Sequence, residues 1–126
     1  MTIERKNAAN WFEIPATDIA RARVFYETIF AIEMNFRDLG ELKMCLFPEG
    51  PMYGALCQHP EFYKPAGQSG VLLYLNGNPD LAVVESRIAS AGGQVLVSKK
   101  MISPEHGFMA IFLDTEGNRV ALHSNN

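Results

Sequence analysis
The stretch Trp11-Phe12-Glu13-Ile14-Pro15-Ala16-Thr17-Asp18, continuing to Ile19, Ala22, Tyr26 and Ile29, sets the reading of the whole chain. Residues 10–16 mix aromatic and β-branched side chains and stop at Pro15, which removes a ladder donor and so suits a strand end. Thr17 and Asp18 can cap a helix beginning at Ile19. The apolar positions 19, 22, 26 and 29 recur at helical spacing, with Arg21, Arg23 and Glu27 on the other faces, so a helix is predicted to about Phe30. Working outward, strand-like runs at 32–38, 41–48 and 52–58 are separated by Leu39-Gly40 and Glu49-Gly50-Pro51. The order is β-α-β-β-β.

The same grammar returns after a linker, His59 to Ser69, which holds Pro60, Pro65 and Gly67 and has little periodicity. Val71 to Leu75 reads as a strand. Asn78-Pro79-Asp80 reads as cap, first helical residue and N-terminal acid. A second helix carries Leu81, Val84, Ile88 and Ala91 and ends at Gly92-Gly93, with strands at 94–98, 107–113 and 118–124. The second helix's apolar positions are the first's displaced by 62 residues. Near the module ends, Glu49-Gly50 matches Glu116-Gly117 and Ala55-Leu56-Cys57 matches Ala121-Leu122-His123, displaced by 66. A long period seen twice indicates an internally duplicated domain. The expected organisation is one α+β domain over 1–126, with modules at 8–58 and 70–124 joined by 59–69.

Bulk properties exclude several function classes. Eleven basic against fourteen acidic residues, with no run of either sign, leave no footprint for nucleic acid or an anionic membrane. The polar start, with Glu4, Arg5 and Lys6, lacks the apolar stretch of a signal peptide or spanning helix. Cys45 and Cys57 stand outside any CxxC arrangement, and read as two reduced, partly buried thiols of a cytoplasmic protein. No P-loop, dinucleotide fingerprint, nucleophile elbow or zinc-finger spacing occurs.

The opening from Trp11 to Asp18, with Ala22 and Phe25-Tyr26, resembles the first strand and helix of vicinal oxygen chelate domains. Asp114-Thr115-Glu116-Gly117-Asn118-Arg119-Val120 is similar to the DPDGN turn that precedes their last strand. The resemblance to this glyoxalase/bleomycin-resistance/dioxygenase superfamily covers essentially the whole chain. It implies a concave mixed sheet with helices outside, a small-molecule site in the cup, and a homodimer.

Metal-dependent members place His, Glu or Gln on the first, fourth, fifth and eighth strands. Carried onto this chain, those positions fall at Trp11, Ala55, Val71 or Leu73, and Ala121, none of which offers a suitable donor. No cofactor is therefore expected, with a displaced divalent-metal site built from Glu13, His59, His106 and His123 as the alternative.

Strand alternation puts Trp11 and Glu13 into the cup and Phe12 and Ile14 onto the helix. The same parity puts Tyr53, Ala55 and Cys57, then Arg119, Ala121 and His123, on the cup side, and Leu73 is added from the fifth strand. Glu13 is the candidate general base or substrate anchor, unless it bridges to Arg119. His123 is its candidate acid–base partner, unless it frays near the C-terminus. Cys57 is a reactive thiol only if a cation lies near. Trp11, Tyr53, Phe108 and Phe112 offer aromatic wall, and 98–107 reads as a flap or a surface loop. Three readings remain open. The first is metal-independent binding of a small, largely apolar molecule. The second is a lyase, isomerase or dioxygenase-type enzyme, and the third an interaction domain whose cup is filled by its own side chains.

Overall fold
In a computed structural model, which describes residues 8–48 and 53–126, the chain forms β1 (Phe12–Pro15), α1 (Ile19–Phe30), β2 (Asn35–Leu39), β3 (Leu42–Leu46) and β4 (Gly54–Gln58). Then come β5 (Leu73–Asn76), α2 (Leu81–Glu85), β6 (Gln94–Ser103), β7 (Gly107–Leu113) and β8 (Arg119–Ser124). Glu49, Gly50, Pro51 and Met52, which include one expected turn and strand start, lie outside the described residues, as do residues 1–7.

Each module makes a four-stranded mixed sheet, ordered β1-β4-β3-β2 and β5-β8-β7-β6. The first and last strands of each module pair in parallel, Glu13 opposite Ala55 and Tyr74 opposite Ala121. These pairings align β1 with β5 at a displacement of 61 and β4 with β8 at 66. The duplication read from the sequence is therefore a duplication of register.

Asp18 caps α1 by accepting the Arg21 N–H at 3.1 Å, and Ala31 closes the helix in the left-handed region. The helix buries Ile19, Ala22, Phe25, Tyr26 and Ile29, the face its periodicity predicts. These residues share one core with Ile14 and Leu56 of the first sheet and with Ala110, Phe112, Val120 and Leu122 of the second. Phe25 packs across the modules on Phe112 in a tilted contact, with ring centroids 5.9 Å apart.

Three expectations are corrected. The second helix is α-helical only over Leu81–Glu85, and continues to Gly92 as turns. Ser86 and Ser90 return their hydroxyls to the carbonyls of Val83 and Arg87, competing with helical bonding just before Gly92-Gly93. Leu81, Val84 and Ile88 still face the core, because successive turns preserve the spacing. Its cap is Asp80, which accepts the Ala82 N–H, whereas Asn78-Pro79 precedes the helix as a cis peptide.

The segment 98–107, expected as a flap or a surface loop, is strand up to Ser103. β6 pairs with β7 through three register shifts, and those bulges erase the alternation that would have disclosed it. Only Pro104 to His106 form a turn at the hairpin end, where the His106 N–H bonds back to Ser103.

Candidate functional site
Alternation divides β1 as its sequence predicts. Phe12 and Ile14 pack on the core, while Trp11 and Glu13 point away from the helices and are exposed. On β4, Leu56 enters the core, and Ala55 and Cys57 take the other face beside Glu13. Tyr53, just before β4, is exposed.

On β8, Val120 and Leu122 face the core, so Arg119, Ala121 and His123 lie on the opposite face. On β5 the parity differs from the expected one. Leu73 and Leu75 face the core, whereas Tyr74 stands beside Ala121. By register, the fifth-strand residue equivalent to Trp11 is Leu72, between Val71 and Leu73. Of the aromatic wall, Phe112 is fully buried in the core, and Phe108 packs against it beneath the Lys99 ammonium, 4.5 Å from its ring centre. The helix-free face of β7 carries Met109 and Ile111, paired with His123 and Ala121.

Glu13 is the best-defined polar group on this face. Its Oε1 accepts the Tyr63 hydroxyl proton at 2.5 Å, and its Oε2 accepts the Trp11 indole N–H at 3.3 Å. The expected bridge to Arg119 is not formed among the described residues. Tyr63 comes from the linker, fifty residues away, where neither periodicity nor a motif marked it. Hydrogen bonding to Glu13 foremost, with burial, raises the Tyr63 phenol, because losing its proton would set two anions side by side. Cys57 lies buried behind this pair. Burial first, then the Glu13 charge, pushes its thiol up to about 12, so it is no nucleophile near neutral pH.

His123 does not fray. It sits in β8, and its Nε2 donates to the His106 carbonyl at 2.6 Å. Nδ1 of His106 lies 2.8 Å from Ser103 Oγ. Nδ1 of His59 accepts two backbone N–H groups, and its Nε2 lies 3.6 Å from Glu41. Each imidazole thus has its own local partner. Among the described residues, no three His, Cys, Asp or Glu side chains are grouped to hold a metal ion.

The positions onto which the sequence resemblance carries the metal ligands, Trp11, Ala55, Val71 or Leu73, and Ala121, hold an indole and aliphatic side chains, which do not fit a divalent ion. By register, the residue of β5 equivalent to Trp11 is Leu72, aliphatic like its neighbours.

A cleft of about 110 Å³ opens between β1, the linker and the start of β8. Ile14, Pro15, Val71 and Leu73 give it apolar walls, and Glu13 and Arg119 bring opposite charges to it. The Arg119 N–H also bonds the Gly67 carbonyl, tying the linker to β8 along this edge.

Beside the cleft, a polar latch joins the modules. Asp114 Oδ1 accepts the N–H groups of Glu116 and Asn118 and so shapes the turn, in which Gly117 takes a φ of 86°. Asp114 Oδ2 accepts the buried Tyr26 hydroxyl at 2.7 Å, and Asn118 Nδ2 donates across to the Pro15 carbonyl. The Glu116 carboxylate, with no exposed side-chain surface, accepts the N–H groups of Thr17 and Asp18 and pairs with Arg21 at 2.8 Å. Burial alone would raise Glu116. Arg21 and these donors outweigh it and hold the carboxyl at about 2.

No protein-family model and no curated protein matches the sequence. Solved structures do. A glyoxalase/bleomycin resistance protein from Streptomyces sp. CB03234 superposes with a TM-score of 0.67 at 19% identity, over 90% of this chain and 97% of that one. The fosfomycin resistance protein FosX from Mesorhizobium loti gives 0.65 at 17%, over 98% and 95%. Glyoxalase I from Zea mays gives 0.66 at 17%, over 90% of this chain and 43% of the maize chain, so the present chain spans less than half of that enzyme. The fold is that of the vicinal oxygen chelate superfamily, two βαβββ modules, as its motifs imply. No helix among the described residues is long and apolar enough to cross a membrane.

Proposed function
We propose that this chain, built on the glyoxalase/bleomycin-resistance fold, binds a small, largely apolar molecule on its helix-free face without the superfamily's metal. One observation supports the reading: the positions onto which the sequence resemblance carries the metal ligands are Trp11, Ala55, Val71 or Leu73, and Ala121, with Leu72 equivalent to Trp11 by register. Apolar side chains there make a wall, and Glu13, fixed by Tyr63 and Trp11, supplies an orienting polar group. Trp11, Tyr53, Ala55, Cys57, Arg119, Ala121 and His123 share the binding surface, with Tyr74 added and Leu73 bordering its cleft.

The Tyr63–Glu13 contact favours a second reading, in which the pair serves as acid and base of a lyase or isomerase. Exposed Trp11, Tyr53 and Tyr74 support a homodimer that covers part of the face, and the two free thiols, Cys45 and Cys57, support a cytoplasmic setting.

Trp11 is the only tryptophan, so its emission reports on the site directly. Titration with a compact neutral probe such as toluene should give a saturable spectral change in protein whose elemental analysis shows no stoichiometric metal. One tightly held divalent ion per chain would overturn the proposal, and so would an unresponsive Trp11.

A further inference from the structure
Charge in the cleft between β1, the linker and β8 narrows the ligand class. Glu13 and Arg119 both line this cleft, yet they form no ion pair within 4.0 Å, and among the described residues Arg119 has no carboxylate partner. Glu13 is held in place by neutral donors, the Tyr63 hydroxyl and the Trp11 indole, so its negative charge is oriented but not neutralised. The same cleft is also lined by carbon surfaces, those of Ile14, Pro15, Val71 and Leu73.

We propose that the cleft takes a small zwitterion with an apolar body, of the aliphatic α-amino acid class. Its ammonium meets Glu13, its carboxylate meets the Arg119 guanidinium, and its side chain covers Val71 and Leu73. The assignment rests on complementarity. A lone anion on Arg119 would approach an unneutralised Glu13, and a lone cation on Glu13 would approach Arg119, whereas a zwitterion satisfies both. Arginine recognises a carboxylate through two parallel N–H donors, which lysine cannot reproduce. The volume of about 110 Å³ suits a compact ligand.

This inference rests on the apolar-ligand reading above and is tested so that the two can fail separately. Trp11 emission is followed against L-leucine, isovalerate, which lacks the ammonium, and isoamylamine, which lacks the carboxylate. Toluene is the neutral control. L-leucine should bind at least about tenfold more tightly than either truncated probe. Arg119→Gln should weaken L-leucine at least about tenfold and, by removing a like charge, leave isoamylamine bound as tightly or more tightly, Arg119→Lys should restore only part of the loss, and Glu13→Gln should weaken L-leucine likewise while leaving isovalerate bound as tightly or more tightly. L-leucine binding no tighter than the truncated probes, or unaltered by Arg119→Gln, overturns the zwitterion while a toluene response preserves the broader reading. Silence toward all four probes overturns both.

Discussion

Replacing Glu116 by Gln tests whether the turn between β7 and β8 holds the two modules together through charge. Glutamine keeps an acceptor for the Thr17 and Asp18 N–H groups but cannot pair ionically with Arg21. The carboxyl sits at about 2 in the folded chain against an ordinary 4.5, a displacement corresponding to about 3 kcal/mol at neutral pH. Half of the Arg21 side chain is exposed and therefore screened, so the expected loss is about 1.5–3 kcal/mol in urea denaturation at pH 7. The sign is set by the depressed value. The contribution is complete above the unfolded value of 4.5 and disappears as pH falls through about 2. At pH 3 roughly two fifths of it should remain, and at pH 2 little. Exposed Glu33→Gln is the control, expected within about 0.5 kcal/mol at every pH. A difference between wild type and Glu116→Gln that stays constant from pH 7 to pH 2.5 would refute the charge argument, and a difference below about 0.5 kcal/mol at pH 7 would refute the latch.

Tyr26→Phe should cost about 1–3 kcal/mol in the same assay, because it removes a buried donor from Asp114 Oδ2 and leaves the carboxylate only the Asn118 amide on that oxygen. A neutral effect would mean that Asp114 is satisfied without the phenol. Cys57, with a thiol near 12, exposes roughly one part in 10⁵ as thiolate at pH 7, and Cys45 is likewise raised by burial. Native protein should therefore resist a disulfide-exchange reagent until it is unfolded, when both thiols react; stoichiometric labelling of folded protein would contradict this.

Module order and helix faces were legible in the sequence because each rests on local periodicity that tertiary packing then used. Ile19, Ala22, Tyr26 and Ile29 face the core for the same reason that they are spaced as they are. Where local and tertiary demands part, sequence reading lost its grip. β6 runs to Ser103 because β7 offers it a partner through three register shifts, although its own side chains do not alternate. Leu73 turns to the core side of β5 while still lining the cleft, because a strand slipped by one residue exchanges both faces, and the linker gives no landmark to set the count. Tyr63 was invisible for a related reason, since only the folded linker brings it to Glu13.

The two motifs that betray the fold turn out to touch one another. The N–H of Asp18, from the opening motif, donates to Glu116 of the closing turn, and Asn118 of that turn donates to Pro15. What makes the chain recognisable is thus the joint between its modules, a set of buried hydrogen bonds that any occupant of the site would require to be in place. Those residues say nothing about which occupant it is. That choice lies with side chains that alternate away from the helices, Trp11, Glu13 and Arg119 on the surface and the fully buried Ala55 and Ala121 between them in register, none of which takes part in the joint. Fold and function are therefore written on opposite faces of the same strands. Chains that share a fold can differ wholly in what they bind, and here the residues turned away from the helices, with Glu13 and Arg119 unpaired with each other at the cleft, are where that difference would lie.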